Sequence, residues 1–291
     1  MVEDAHTRLP KKALVAFVHI EKAAGTTLLY LLRRNFLGRY LDVRPYAQRE
    51  PKGTFMADDL RVALRINPLL RAVGGHAVTP CSDLSARSAR PVRYITVLRE
   101  PVARYLSQFR YWNRVMGKDW SFERFLDHEP SFDLQTRKLS GGRDAGAALA
   151  TLRDEFALVG TVEALDEFLV QFAAISALPF DPHYRARNTG ESDRAEVDEL
   201  MQKFGDEVVA RNQSDLALYE QVTDVLLPEQ RARYPGDSQA ALAQFVARQA
   251  LGGAPKVDIR LLLDAALRKG WYEPLTGWLR RRAGMPSRGS Y

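Results

Sequence analysis

Hydrophobic residues form short runs that alternate with longer amphipathic stretches along the first part of the chain. Residues 13–20 and 92–98 are nearly uninterrupted apolar runs, as expected for strands buried on both faces of a parallel sheet. Residues 70–76 and 156–161 predict two further short strands. Apolar residues recur at helical spacing in residues 26–36, 55–66, 102–116 and 163–177. This alternation predicts an α/β domain built from right-handed βαβ units around a parallel sheet.

The rest of the chain is predicted to be mainly helical. Residues 127–146, rich in Gly, Ser and charge, predict a loop-and-helix excursion over the sheet. Residues 179–192 are irregular, and Gly and Pro at residues 235–236 mark a break. Helical patterns cover residues 194–212, 215–226, 239–250, 258–269 and 273–282. We therefore divide the chain into a tail (1–12), an α/β domain (13–234) and a small helical C-terminal extension (235–291).

The amino-acid composition limits the kinds of ligand that the protein is expected to bind and the cellular compartment in which it is expected to lie. The formal net charge is +6 and the sequence pI is about 9.4, but the basic residues are scattered. This pattern favours anionic ligands and not nucleic acid. The single cysteine, Cys81, and histidines without metal-ligand spacing predict no metal site. Because no apolar run approaches about 18 residues and no leader pattern is present, we expect no transmembrane segment and a cytoplasmic location.

A short turn links the first predicted strand to the first predicted helix. It contains Lys22 and Gly25, and Thr26 and Thr27 open the helix. The N–H groups of a helix start bind anions, a glycine allows close approach, and a lysine adds a mobile charge. The turn therefore indicates a phosphate site, with a ligand-free capped turn as the alternative. Lys22 precedes Gly25, the reverse of the order in an ATP-binding Walker A loop.

A second strand–helix junction lies at residues 94–112. Arg99 follows the strand, Pro101 suits a helix start, and Ser107 lies about two helical turns beyond Arg99. The guanidinium and the hydroxyl can converge on one phosphate, and the second helix N-terminus would also favour an anion. Alternatively, Arg99 pairs with Glu100 at the surface and Ser107 is solvated. Two anion sites on one sheet predict a ligand with phosphates at both ends.

Taken together, the two junctions resemble motifs of the carbohydrate sulfotransferases that use 3′-phosphoadenosine-5′-phosphosulfate (PAPS), of the heparan sulfate 2-O/6-O type. The matching segments are FVHIEKAAGTT at residues 17–27 and LREPVARYLS at residues 98–107. Four further segments echo the family in the same order: GH at 75–76, QTRKL at 135–139, VGTVEALDEFL at 159–169 and NQSDLALY at 212–219. The resemblance covers roughly residues 14–219 and leaves out the C-terminal part.

The resemblance implies a P-loop-NTPase-like fold with PAPS as co-substrate and no metal. Lys22 is expected to stabilise the leaving phosphate, and Arg99 and Ser107 are expected to hold the 3′-phosphate. Residues 185–188 lie where relatives place a loop over the nucleotide. The residues expected to bind the nucleotide are Lys22, Ala24, Gly25, Thr26, Thr27, Arg99 and Ser107.

The acceptor hydroxyl needs a general base, and the resemblance implies His76. A reference pKa of about 6.5 suits an imidazole to proton transfer near neutrality, although a structural hydrogen bond is the alternative. His19 is expected to be a hydrogen-bonded core residue. Gln135, Arg137 and Lys138 are expected to contact the acceptor or cover PAPS, with a solvated charge run as the alternative.

Glu21 departs from the family, which usually has proline directly before the lysine. A carboxylate at this place would repel the sulfuryl group unless it turns away or pairs with a cation. Glu21 could instead act as the base, or orient the acceptor or Lys22. The resemblance implies sulfuryl transfer from PAPS to a glycan or glycoside hydroxyl. The alternatives are a degenerate sulfotransferase that binds without turnover, and an ATP-dependent kinase of similar fold.

Overall fold

The computed structural model describes residues 8–43, 53–184, 194–251 and 258–282. Its five strands are β1 (Leu14–Val18), β2 (Tyr40–Asp42), β3 (Ala72–Gly75), β4 (Val92–Leu98) and β5 (Phe156–Thr161). They form one all-parallel sheet in the order β2-β3-β1-β4-β5, and helices flank it. The predicted α/β class is thus confirmed. Strand β2 was not predicted, because its 3 residues are too few to show a hydrophobic period.

Helices follow most of the strands, at the places where the apolar spacing predicts them. The helices of the first half are α1 (Gly25–Asn35), α2 (Ala57–Ile66), α3 (Pro101–Arg114), α4 (Phe122–Leu126), α5 (Leu134–Ser140) and α6 (Ala145–Glu155). Those of the second half are α7 (Leu165–Ile175), α8 (Arg194–Ala210), α9 (Gln213–Gln221), α10 (Leu227–Ala232), α11 (Ser238–Ala250), α12 (Ile259–Leu267) and α13 (Glu273–Arg282). The π-helical segments Val222–Leu226 and Arg268–Tyr272 join α9 to α10 and α12 to α13. Helix α5 lies within the stretch predicted as a loop-and-helix excursion, and α6 begins at the end of that stretch.

Strand β1 is buried on both faces, which explains its uninterrupted apolar sequence. Leu14, Ala16 and Val18 contribute to the core on one side of the sheet, and Val15 and Phe17 to the core on the other. Successive side chains of a strand point to opposite faces, so every position of β1 needs an apolar residue. The strand therefore anchors the loop that follows it to the centre of the molecule.

The strand order brings the ends of three central strands together. Val18 at the end of β1 pairs with Gly75 on one side and with Thr96 on the other. The segments that follow β1, β3 and β4 therefore emerge side by side at the carboxyl edge of the sheet. Crevices at this edge are where open α/β sheets bind ligands.

The C-terminal helices pack onto the helical layers of the α/β domain. Helix α11 contacts α7, α12 contacts α1, and α13 contacts α2. Arg34 of α1 forms an ion pair of 2.8 Å with Asp258, directly before α12, and both side chains are largely buried. Among the helices of the described ranges, none combines the length and apolar character needed to cross a membrane.

Candidate functional site

The loop between β1 and α1 has a strained backbone. Lys22 and Ala24 adopt left-handed conformations, with φ of 66° and 54°. Non-glycine residues in this region cost about 1–3 kcal/mol each, and such strain is concentrated at functional sites. Helix α1 then begins at Gly25 without a side-chain cap. The N–H groups of Gly25 and of exposed Thr26 are therefore presented at the carboxyl edge, whereas the N–H of half-buried Thr27 donates to the carbonyl oxygen of Ala24 at 3.0 Å.

Gly25 is required by its contact with His19. A Cβ built on Gly25 would lie 1.6 Å from Nε2 of His19, which no real side chain can approach so closely. The His19 ring is buried and stacks on His76, with ring centroids 3.9 Å apart, and on Phe17 at 5.6 Å. Hence the glycine of the loop makes room for the imidazole as well as shaping the turn.

His19 is buried as expected, although the hydrogen bonding of its ring is incomplete. Its Nδ1 has no hydrogen-bond partner among the described residues. Burial lowers the pKa of His19 well below the usual 6.5, and the neighbouring His76 lowers it further. His19 is therefore a neutral imidazole within the site, supporting the face of the His76 ring.

Glu21 is held by two partners. Nζ of Lys138 lies 3.2 Å from each carboxylate oxygen, and Nδ1 of His76 lies 3.1 Å from Oε1. Burial alone would raise the pKa of Glu21, but Lys138 and then His76 outweigh it, and the net pKa falls far below the ordinary value. Of the two arrangements considered for this carboxylate, turning away or pairing with a cation, the structure shows pairing with Lys138, which lies 117 residues away in the sequence.

The Glu21 carboxylate also fixes the proton of His76. An ionised carboxylate only accepts hydrogen bonds, so the Nδ1 of His76 must be the donor. In the neutral imidazole Nε2 is then left with its lone pair, the form that a general base requires. Glu21, His76 and Lys138 come from the loop after β1, the end of β3 and helix α5.

Arg99 lies across from this group, at the end of β4. Its Nη1 donates to the carbonyl oxygen of Lys22 at 3.1 Å, which ties the two junctions together. The side chain of Gln135 accepts from the backbone N–H of Arg99 and donates to its carbonyl oxygen, both at 2.9 Å. Nζ of Lys22 lies 4.1 Å from the ring centre of Tyr111 on α3. Both cations are thus positioned by neighbouring elements.

Three cations repel one another at this edge. Burial lowers the pKa of Lys22, and Arg99 and Arg110 lower it further. Burial also lowers the pKa of Arg99. The charge of Glu163 raises this pKa and that of Arg110 lowers it, and the net effect is a lowered pKa. An anion bound among them would relieve the repulsion. Sequence reasoning missed Arg110, although it follows Ser107 by one helical turn and therefore shares its side of α3.

The N-terminus of α3 does not offer the second anion site that its position suggested. The carboxylate of Glu100 accepts hydrogen bonds from the N–H groups of Val102 at 2.9 Å and Ala103 at 2.6 Å. This cap satisfies the donors that would otherwise face a ligand. The carboxylate that the alternative interpretation paired with Arg99 at the surface therefore caps α3. Ser107 is half-buried further along the helix.

Helix α5 turns two of its three predicted residues to the site. Gln135 is buried against Arg99, and Lys138 reaches Glu21. Arg137 instead donates to the carbonyl oxygen of Glu129 at 3.0 Å, away from these contacts. Of the three residues, Arg137 alone therefore fits the alternative interpretation, in which these side chains are solvated and take no part in the site.

A reciprocal pair of aspartates fixes α5 against α9. Asp133 accepts from the N–H groups of Ser214 and Asp215 at the start of α9, at 2.8 and 3.1 Å. In return, Asp215 accepts from the N–H groups of Gln135 and Thr136 at the start of α5, at 3.1 and 2.7 Å. Each helix is thus capped by an aspartate at the start of the other.

Arg104 of α3 completes this connection inside the protein. Its Nε lies 4.0 Å from the Asp215 carboxylate, and both side chains are completely buried. Its Nη2 donates to the carbonyl oxygen of Ser131 at 3.1 Å. The second residue of α5, Gln135, therefore reaches Arg99 from a helix that a buried ion pair holds in place.

Residues 185–188, expected near the nucleotide, lie outside the described residues. Within the described ranges, no group of three or more His, Cys, Asp or Glu side chains is placed to hold a metal ion. No model of a known protein family matches the chain, and no curated protein is significantly similar to it. The resemblance to the PAPS-dependent sulfotransferases therefore rests on the sequence motifs alone.

Proposed function

We propose that this protein transfers the sulfuryl group of PAPS to a hydroxyl of a carbohydrate-type acceptor. One observation carries the proposal. The cations Lys22, Arg99 and Arg110 converge beside the uncapped start of α1, next to a carboxylate–imidazole pair formed by Glu21 and His76. The first group fits an anionic donor, and the second fits an acceptor that must lose a proton.

The donor half follows from the positions of the cations. The N–H groups of Ala24, Gly25 and Thr26, with the hydroxyls of Thr26 and Thr27, would hold the 5′-phosphate at the start of α1. Lys22 would lie at the bridging oxygen and stabilise the charge that develops as the S–O bond breaks. Arg99 and Ser107 would hold the 3′-phosphate. Arg110 would add a positive charge at the same place, the third cation of the site beside Lys22 and Arg99. Positioning and electrostatics carry most of the catalysis in loose, in-line transfers of this kind.

Strand order supports a P-loop-NTPase-like fold. In the order β2-β3-β1-β4-β5, the strand that leads into the anion-binding loop is central, and its neighbours supply His76 and Arg99. A loop between a strand and a helix N-terminus is the common element of phosphate-binding α/β proteins. The loop here differs from Walker A in the order of its lysine and glycine.

The acceptor half assigns different roles to His76 and Glu21. Nε2 of His76 would take the proton of the acceptor hydroxyl while the acceptor oxygen forms its bond to sulfur. The bond from sulfur to the bridging phosphate oxygen breaks, and the electron pair leaves on the nucleotide. Glu21 orients His76 through Nδ1 and stabilises the imidazolium that forms. Lys138 neutralises the Glu21 charge that would otherwise repel the sulfuryl group.

One observation favours a binding-only protein as a second candidate. Glu21 is ionised and lies in the very loop that would cradle the donor, where relatives usually have an uncharged proline. If the ion pair with Lys138 left too much negative charge there, nucleotide would bind without turnover. Kinase activity has no comparable support from the geometry.

The test is formation of 3′-phosphoadenosine-5′-phosphate (PAP) from PAPS, followed by mass spectrometry with a panel of glycosides. We expect acceptor-dependent PAP release, reduced about 10²- to 10⁴-fold in His76→Asn, as for loss of a general base. The matched control is His128→Asn, outside the site. Lys22→Ala should abolish turnover but leave much of the PAP affinity, and Lys203→Ala serves as its control. PAP binding without release in the wild type would favour the binding-only candidate, and full activity of Lys22→Ala would refute the leaving-group role.

A further inference from the structure

The C-terminal helical segment leaves six large apolar side chains largely exposed. We call these residues the C-terminal apolar face: Ile259, Leu262, Leu263, Leu267, Trp271 and Trp278, which are 45–69% exposed. The most buried residue of α12 is polar, since it is Asp264, which is only 6% exposed. A helix that packs as an ordinary surface helix shows the reverse arrangement. An outward apolar stripe of this length marks an interaction surface.

The acidic side chains of the segment are all engaged within the protein. Asp258 pairs with Arg34 at 2.8 Å, and Asp264 is buried. Glu273 pairs with Arg268 at 2.7 Å. The described part of the segment, residues 258–282, therefore presents no unpaired carboxylate beside the apolar face.

Basic side chains border the same face. Arg260 and Lys269 are exposed on α12 and just after it, and Arg281 and Arg282 are exposed at the end of α13. The guanidinium of Arg282 lies 4.4 Å from the ring centre of Trp278. Leucine and tryptophan on one face with arginine and lysine at its borders are the composition of helices that lie in the interface of a membrane.

We infer that the C-terminal apolar face binds the surface of a lipid bilayer that carries anionic headgroups. The leucines and tryptophans would enter the boundary between headgroups and acyl chains, while the basic border contacts the phosphates. A second copy of the chain fits less well, because a two-fold interface through this face would bring its basic borders together. This inference does not depend on the proposed sulfuryl transfer.

Co-sedimentation of the full chain with vesicles tests the inference. The probes are phosphatidylcholine vesicles with and without phosphatidylglycerol, together with quenching of tryptophan fluorescence by brominated lipid. We expect binding about tenfold tighter to the anionic vesicles, weakened by salt. The double variant Leu262→Glu/Leu263→Glu should lose binding, whereas Val115→Glu/Met116→Glu, at exposed apolar residues elsewhere, should keep it.

A second variant guards against misfolding of the first. Arg260→Glu/Lys269→Glu changes only exposed charges, and should lose the preference for anionic vesicles while its circular dichroism stays unchanged. Failure of the wild type to bind anionic vesicles would overturn the inference. Equal binding by wild type and by both C-terminal variants would also overturn it. Concentration-dependent dimerisation that only the leucine variant loses, without vesicle binding, would assign the face to a second copy instead.

Discussion

Removing one charge of the buried Arg104–Asp215 pair should cost far more stability than the sum of the contacts suggests. In Asp215→Asn the amide keeps one oxygen for the N–H of Thr136, but its NH₂ faces the N–H of Gln135, so one of the two helix-capping bonds is lost. A hydrogen bond to a charged group contributes about 1.5–3 kcal/mol. In addition, Arg104 remains charged and completely buried, because a guanidinium cannot release its proton.

These terms lead to an expected loss of about 3–5 kcal/mol, the usual cost of breaking a buried ion pair from one side. Domain stabilities are about 5–15 kcal/mol in total, so the variant would be marginal. Arg104→Met should cost less, since burial already raises the pKa of Asp215 and the carboxyl can take up a proton. Because the folded form then binds the additional proton, the cost of Arg104→Met should shrink as the pH falls.

Urea unfolding followed by circular dichroism measures these values by linear extrapolation. In the double variant Arg104→Met/Asp215→Asn no charge is left alone in the core. Its loss of stability should therefore be smaller than the sum of the two single losses by about 2 kcal/mol or more. A loss below about 1 kcal/mol for Asp215→Asn, or strictly additive losses, would refute the role given to this pair.

Three further outcomes are expected. Gly25→Ala should lower the free energy of unfolding by about 2 kcal/mol or more, because its Cβ would overlap His19. The control Gly142→Ala, with open space around it, should change it by less than about 1 kcal/mol. Equal effects of the two substitutions in urea unfolding would contradict the contact between Gly25 and His19. The pKa of His19 is lowered in the folded state, so on acidification the unfolded chain binds a proton that the folded protein does not. As the pH is lowered from about 7.5 to 5.5, the free energy of unfolding should therefore fall by up to about 1.4 kcal/mol per pH unit. His19→Asn should flatten this dependence in urea titrations, and an unchanged slope would exclude His19 as its source. Arg110→Ala should weaken PAP binding about tenfold in calorimetry, because it removes one cation of the cluster. The control Arg65→Ala, at an exposed position of α2, should leave the affinity unchanged. An unchanged PAP affinity of Arg110→Ala would place Arg110 outside the anion site.

The sequence predicts the centre of the fold because its signals are local. The apolar run of β1 and the Lys-Gly-Thr turn after it place the first loop, and the run of β4 places Arg99 at the same edge. Helix α5 could not be placed in this way, because its position depends on the caps exchanged by Asp133 and Asp215, which are distant in the chain.

The chemistry of the candidate site was predictable only in part, because it too depends on contacts between residues that are distant in the chain. Glu21 stands out in the sequence as a departure from the sulfotransferase motif that the first loop resembles, but its pairing with Lys138 joins residues on different elements. The position of His19 against His76 also depends on the strand order, which brings β1 beside β3. Only Arg110 had a local signal, its spacing from Ser107 on one helix.

Calorimetric titration of the wild type with PAP and with ADP tests the central claim most directly, because the 3′-phosphate distinguishes the two nucleotides. We expect PAP to bind much more tightly than ADP, with the difference lost in Arg99→Ala and retained in the surface control Arg65→Ala. Equal or tighter binding of ADP in the wild type would contradict the 3′-phosphate site, and with it the assignment of PAPS as the donor.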